Sequence, residues 1–100
     1  MTKAWMYILK CGNGLYYTGS TIDIDFRMKQ HEEGEGSNFT KKHLPIKLVY
    51  YEEYASIEDA FLREKQVQGW SRKKKEALIN DMMEELPYLS RNYKEFGRVD

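Results

Sequence analysis

One hundred residues at 41% hydrophobic and 32% charged make one folded domain with a modest core, too short for two and too apolar for disorder. Sixteen Lys and Arg balance sixteen Asp and Glu, so affinity for a polyanion has to come from local segregation of charge and not from bulk charge. The single cysteine, Cys11, excludes an intrachain disulfide and a cysteine-built zinc site; with no signal-peptide core or membrane-length apolar run, a cytoplasmic setting is expected.

Trp5 to Lys10 and Leu15 to Ser20 are short aromatic and β-branched runs either side of Cys11-Gly12-Asn13-Gly14, the pattern of a β-hairpin. Register decides what the hairpin can do. A two-residue loop puts Tyr7 and Tyr17 on opposite faces. A three-residue loop, Gly12-Asn13-Gly14 with Gly14 left-handed, pairs Cys11 with Leu15 and puts both tyrosines on one face; this register is preferred because Gly14 suits the bulge. Thr21 to Glu33 reads as a first helix capped by Thr21 or Asp23, with Ile24 and Met28 on one stripe and Arg27 and His31 on another. Gly34 and Gly36 end it, and Ser37 to Pro45 reads as a loop. Lys47 to Tyr54 is a third strand. Ser56 opens a second helix that runs to Gln68 and is closed by Gly69, and Ser71 caps a third that turns Leu78, Met82 and Leu86 inward and stops before Pro87. The expected order is ββαβαα: an α+β domain over residues 3–86, a small three-stranded antiparallel sheet with flanking helices, and a tail over 87–100 that docks loosely or frays.

Within the second helix Glu64 falls inside the stripe Ile57, Ala60, Phe61 and Val67, while Glu58, Asp59 and Lys65 occupy the other positions. A carboxylate on a buried face needs a compensating cation. Two readings stand: a structural ion pair with a nearby arginine, or a ligand for a hard divalent cation, which takes oxygen donors and needs only one or two protein carboxylates. Arg27 and His31, one turn apart, combine a permanent guanidinium with an imidazole able to move a proton; a solvated helix face competes, since Lys29, Gln30, Glu32 and Glu33 are neighbours. Tyr7 and Tyr17 are two of eight tyrosines, and packing in a strand is their ordinary use. Arg72, Lys73, Lys74 and Lys75 crowd the first turn of the third helix, where the helix dipole prefers acids. Together with Lys41 and Lys42 they suit contact with a nucleic-acid backbone, or else form a solvated helix end.

Taken in order, Trp5-Met6-Tyr7, Tyr17-Thr18-Gly19, Arg27, His31 and Glu64 resemble the signature of the GIY-YIG nucleases: two tyrosine motifs on adjacent strands, an arginine in the next helix and a glutamate in a later one. The likeness runs from about Lys3 to Leu86 and is greatest to the small stand-alone uncharacterised bacterial GIY-YIG proteins, which share runs such as Lys47 to Glu52 and Trp70 to Lys75. Thr18 departs from the family's isoleucine, Ser20 stands where several relatives place a lysine, and Glu76 lies about where an asparagine is expected. The resemblance implies a metal-dependent endonuclease that hydrolyses phosphodiester bonds, with DNA the expected substrate. Glu64 would hold one Mg2+ or Mn2+, and Tyr7 would help deprotonate the attacking water while Tyr17 positions it, or the reverse. Arg27 would stabilise charge on phosphorus, His31 would serve as proton relay or phosphate contact, and Gly19 would let substrate approach closely. Targeting would come from a protein partner. The alternative is a non-catalytic nucleic-acid or protein-binding module on the same fold. The nuclease reading further expects Tyr7, Tyr17, Arg27 and Glu64 to converge on one concave surface.

Overall fold

The computed structural model describes residues 3–80. The chain divides into two compact units, Met1–Trp70 and a second that begins at Ser71. The first unit contains β1 (Ala4–Lys10), β2 (Tyr16–Thr21), α1 (Ile24–Glu32), α2 (Asn38–Lys42), β3 (Lys47–Tyr54) and α3 (Ile57–Gln68). They form the expected antiparallel three-stranded sheet, in the order β2-β1-β3, so β2 and β3 are its edges. The added element is α2, in a segment that reads as a loop. Ser37 caps it by accepting from the Thr40 amide, and five residues suffice because the turn is anchored at a buried Thr40. In the second unit residues 72–80 are helical, and the Lys74 amide donates to Ser71 Oγ as expected of a cap. The expectations for Met82, Leu86, the stop at Pro87 and the tail from 87 lie outside the described residues.

The hairpin takes the three-residue loop. Tyr7 pairs with Gly19 and Leu9 with Tyr17, the Cys11 amide donates to Leu15 O, and Gly14 has φ 86°, a conformation that glycine adopts without strain. Alternation then sorts the sheet. Ala4, Met6 and Ile8 share a face with Thr18, Ser20, Tyr50, Glu52 and Tyr54, whereas Tyr7 shares the other with Tyr17 and Gly19.

Helix α3 lies on the first of these faces. Ala60, Glu64 and Val67 are its buried residues, but Ile57 and Phe61 are exposed, so the apolar stripe is narrower than its sequence suggests. It is fastened to β3 by Glu52, which takes Nε and Nη2 of Arg63 at 2.9 and 3.1 Å together with the hydroxyls of Tyr50 and Tyr54. Burial alone would raise the Glu52 pKa, but the Arg63 guanidinium and the two phenols hold it below the usual carboxylate range. The other face carries α1 and α2, whose buried residues are His31 and Thr40. The polar stripe of α1 is thus the inward one, and Ile24 and Met28 are half-buried.

Candidate active site

Tyr7 lies at the centre of the α1 face, 1% exposed. Its hydroxyl passes directly over Gly19: a Cβ on that glycine would come within 2.5 Å of the Tyr7 oxygen. The glycine of the second motif therefore makes room for the tyrosine of the first, a closer reason for glycine than the approach of substrate. Arg27 Nε donates to the same oxygen at 3.4 Å, and His31 Nε2 is 3.0 Å from it. Tyr17 completes the cluster, its ring centroid 6.5 Å from that of Tyr7 and 5.5 Å from that of His31. Phe39 of α2 stacks on Tyr17 from beyond.

These surroundings set the protonation states. Burial pushes the Tyr7 pKa up to about 12, Arg27 pulls the other way, and the charge of Glu64 adds a small upward push. Burial, with the positive charge of Arg27 second, pulls His31 down to about 4. At neutral pH the pair is a neutral phenol against a neutral imidazole. His31 is wholly buried and both ring nitrogens are engaged, Nε2 with Tyr7 and Nδ1 with Thr40 Oγ1 at 2.8 Å.

Glu64 reaches the site from the α3 side. Its carboxylate accepts from Ser20 Oγ at 2.6 Å and Gln68 Nε2 at 3.2 Å, and Lys65 Nζ stands 3.8 Å away. Because Ser20 alternates with Gly19, Glu64 does not share the Tyr7 face as the sequence led us to expect. Glu64 bonds Ser20 and Tyr7 lies over Gly19, the preceding residue of the edge strand β2, and the charge of Glu64 is felt at the Tyr7 hydroxyl. Convergence on one face holds for Tyr7, Tyr17, Arg27 and His31. The arginine beside Glu64 in sequence is turned to Glu52, and among the described residues no arginine pairs with Glu64. Among the described residues no three of His, Cys, Asp and Glu gather to hold a metal. A single carboxylate, 9% exposed and held by neutral donors plus one loose lysine, nevertheless fits a hard cation whose other ligands are water and phosphate oxygens.

Lys41 and Lys42 are exposed on α2, and the run Arg72 to Lys75 belongs to the second unit, where Arg72 pairs with Glu76 at 3.1 Å. Sequence reasoning missed four participants: Ser20, Gln68, Thr40 and the Glu52–Arg63 anchor. Only Thr40 left a signal, the Ser37-x-x-Thr40 spacing of a helix cap.

The profile of the GIY-YIG catalytic domain matches residues 3–77. The chain belongs to the GIY-YIG family. Its relatives are single domains of similar length. A UPF0213 protein of Streptococcus sanguinis is 40% identical over 79 residues, which cover 79% of this chain and 91% of the relative. One from Staphylococcus aureus is 37% identical over 81 residues, covering 81% and 99%. The solution NMR structure of a UPF0213 protein from Bacillus halodurans superposes with TM-score 0.52 at 36% identity, over 91% of this chain and 95% of that one. Within the matched span Tyr7 meets Gly19, Arg27 and His31, and Glu64 bonds Ser20, the next residue of β2. No helix among the described residues is long and apolar enough to cross a membrane.

Proposed function

We propose that this GIY-YIG domain is an endonuclease that hydrolyses phosphodiester bonds in DNA with one divalent cation, Mg2+ or Mn2+, held by Glu64. The observation that carries this reading is the Tyr7 hydroxyl, fixed between Arg27 Nε and His31 Nε2 above Gly19, with the Glu64 carboxylate bonded to Ser20, the next residue of β2. When bound, the cation supplies Lewis-acid polarisation of the phosphate and charge for the leaving 3′-oxygen.

The chain's own groups do the rest. A phenol with its pKa near 12 is not ionised at neutral pH, so Tyr7 does not act as a standing base. Its oxygen takes the proton of the attacking water while its own hydrogen moves to the imidazole 3.0 Å away, and it regains that hydrogen when the water-derived proton leaves to solvent. Arg27 keeps the phenol oxygen oriented and sets a permanent positive charge beside the phosphate. Tyr17, half-buried next to Tyr7, orients the water. Lys41, Lys42, Arg72, Lys73, Lys74 and Lys75 contact the backbone of the nucleic acid. Replacing Lys73 and Lys74 by alanine then flattens the dependence of affinity on salt by about two ions; an unchanged slope returns the run to solvent.

Incubation with single-stranded, duplex and branched DNA and RNA, with Mg2+, Mn2+ or chelator, tests the reading. Metal-dependent cleavage that chelator abolishes is expected. Failure to cut any substrate, together with a melting temperature indifferent to metal, would return the domain to a binding module.

A further inference from the structure

Among the described residues, one assignment of hydrogens around His31 gives every hydrogen a partner. Arg27 can only donate, and its Nε–H points at the Tyr7 oxygen. The Thr40 hydroxyl has a single hydrogen and three neighbours: Ser37 O at 3.2 Å, Ser37 Oγ at 3.2 Å and His31 Nδ1 at 2.8 Å. Suppose Thr40 donates to Nδ1. Then Nε2 carries the ring hydrogen and donates to Tyr7, whose oxygen accepts twice while its own hydrogen meets no acceptor among the described residues. Suppose instead that Thr40 donates to Ser37. Then Nδ1–H donates to Thr40, Nε2 accepts from Tyr7, and every hydrogen has a partner. The ring cannot evade the choice. Both nitrogens are engaged, His31 is fully buried, and a Cβ on Gly36 would collide with Nδ1, so that edge of the ring is seated against backbone.

We infer that Thr40 is a positioning residue that fixes His31 as the Nδ1–H tautomer and so leaves Nε2 open to the hydrogen of Tyr7. Its catalytic consequence rests on the nuclease reading proposed above; the tautomer does not. No bond other than O–H and N–H changes in the relay. The Tyr7 hydrogen moves to Nε2 as the water proton reaches Tyr7, and Nδ1–H stays on Thr40 throughout. The short helix α2 then has a purpose, since its cap Ser37 accepts from Thr40 and Thr40 orients the ring.

Nitrogen-15 NMR of the full chain at neutral pH, without metal, reads the tautomer directly. Only two histidines are present, so His43→Gln leaves one imidazole to assign. The expected spectrum has a protonated Nδ1 and a bare Nε2 in that parent and in Thr40→Ser, and a mixed or reversed tautomer in Thr40→Val, which keeps the shape and loses the hydroxyl. In cleavage, Thr40→Val lowers kcat on the order of 10- to 100-fold with KM unchanged, and Thr40→Ser restores it. A protonated Nε2 in the parent, or an unaltered tautomer in a folded Thr40→Val, overturns the inference whether or not the protein cuts. A swapped tautomer with kcat unchanged would keep the Thr40 assignment and remove His31 from the relay. An inactive parent with the expected tautomer shift would count against the nuclease reading and not against Thr40.

Discussion

Two carboxylates on the same face of one small sheet, Glu64 buried and Glu52 half-buried, have opposite surroundings. Glu52, in the middle of the β3–α3 contact, is saturated: a forked arginine and two phenols fill its oxygens, and they hold its pKa down despite burial. Glu64, one residue after the arginine that serves Glu52, has a serine hydroxyl, an amide nitrogen and a lysine at 3.8 Å. A carboxylate whose charge is already answered by the protein can only hold the fold together. One whose charge is answered by neutral donors keeps the capacity to take a cation. The anchor also serves the site, because Arg63 bound to Glu52 fixes the rotation of α3 and so aims Glu64 at the edge of β2.

The sharpest way to break this contrast is to neutralise each acid in turn. Glu64→Gln should cost cleavage on the order of 10²- to 10³-fold while stability stays within about 1 kcal/mol. Metal should raise the melting temperature of the wild type and not that of the variant. Glu52→Gln should do the reverse, losing about 3 kcal/mol of stability because a part-buried arginine is left without its countercharge. Denaturant titrations beside single-turnover cleavage give both quantities. Equal losses of stability in the two variants would erase the distinction and make Glu64 a second structural acid.

The sequence exposed one of these acids and hid the other, for a physical reason. Glu64 stands out because it interrupts a helical stripe, and a helix displays its pattern within a few residues. Glu52 lies in a strand that sets a pair of acids between tyrosines, Tyr50-Tyr51-Glu52-Glu53-Tyr54, so no period marks it out, and its partner Arg63 is eleven residues on and in another element. The hairpin register was legible because Gly14 and the loop length settle it locally. Local pattern could not reveal that Glu64 comes round the strand edge, since that depends on where α3 lies on the sheet. Nor could it show that His31, among charged neighbours in α1, is wholly buried: the partners that admit it, Tyr7 and Thr40, lie 24 and 9 residues away.

Acid should take the two regions apart in sequence. His31 has an ordinary pKa of 6.5 and a folded value of about 4, so between these values the unfolded chain binds the proton and the folded chain does not. Stability is full above pH 6.5 and falls as the pH drops toward 4, a loss of roughly 2 kcal/mol that starts at the tyrosine face. The Glu52 contribution, from a pKa lowered below 4.5, is present above that value and is lost only at lower pH. Melting temperatures between pH 7 and pH 4.5 should therefore decline with the same slope in wild type and in Glu52→Gln. A slope that vanishes in Glu52→Gln would assign the acid sensitivity to the anchor instead.

The smallest effect concerns Thr18, on the same strand and face as Ser20. Its hydroxyl is buried with no hydrogen-bond partner among the described residues, although its carbonyl accepts from Gln68 Nε2 at 3.5 Å. The residue is 3% exposed, so water does not compensate from outside. The surroundings of Glu64 are then under-matched twice over, in a carboxylate with only a lysine at 3.8 Å for its charge and in a hydroxyl without a partner among the described residues, whereas both Glu52 oxygens are met. Thr18→Val keeps the branched shape that a strand favours and exchanges the unmatched hydroxyl for a methyl, so it should stabilise the domain by about 1 kcal/mol. For a domain of this size that is a rise in melting temperature of roughly 4–8 °C. Cleavage should not change, because Thr18 reaches neither the Tyr7 hydroxyl nor the Glu64 oxygens in any bond of the structure. A variant that loses stability instead would show that the hydroxyl is held by a bound water. The edge of β2 would then be as fully matched as the anchor, and Glu64 alone would carry the difference between the two regions.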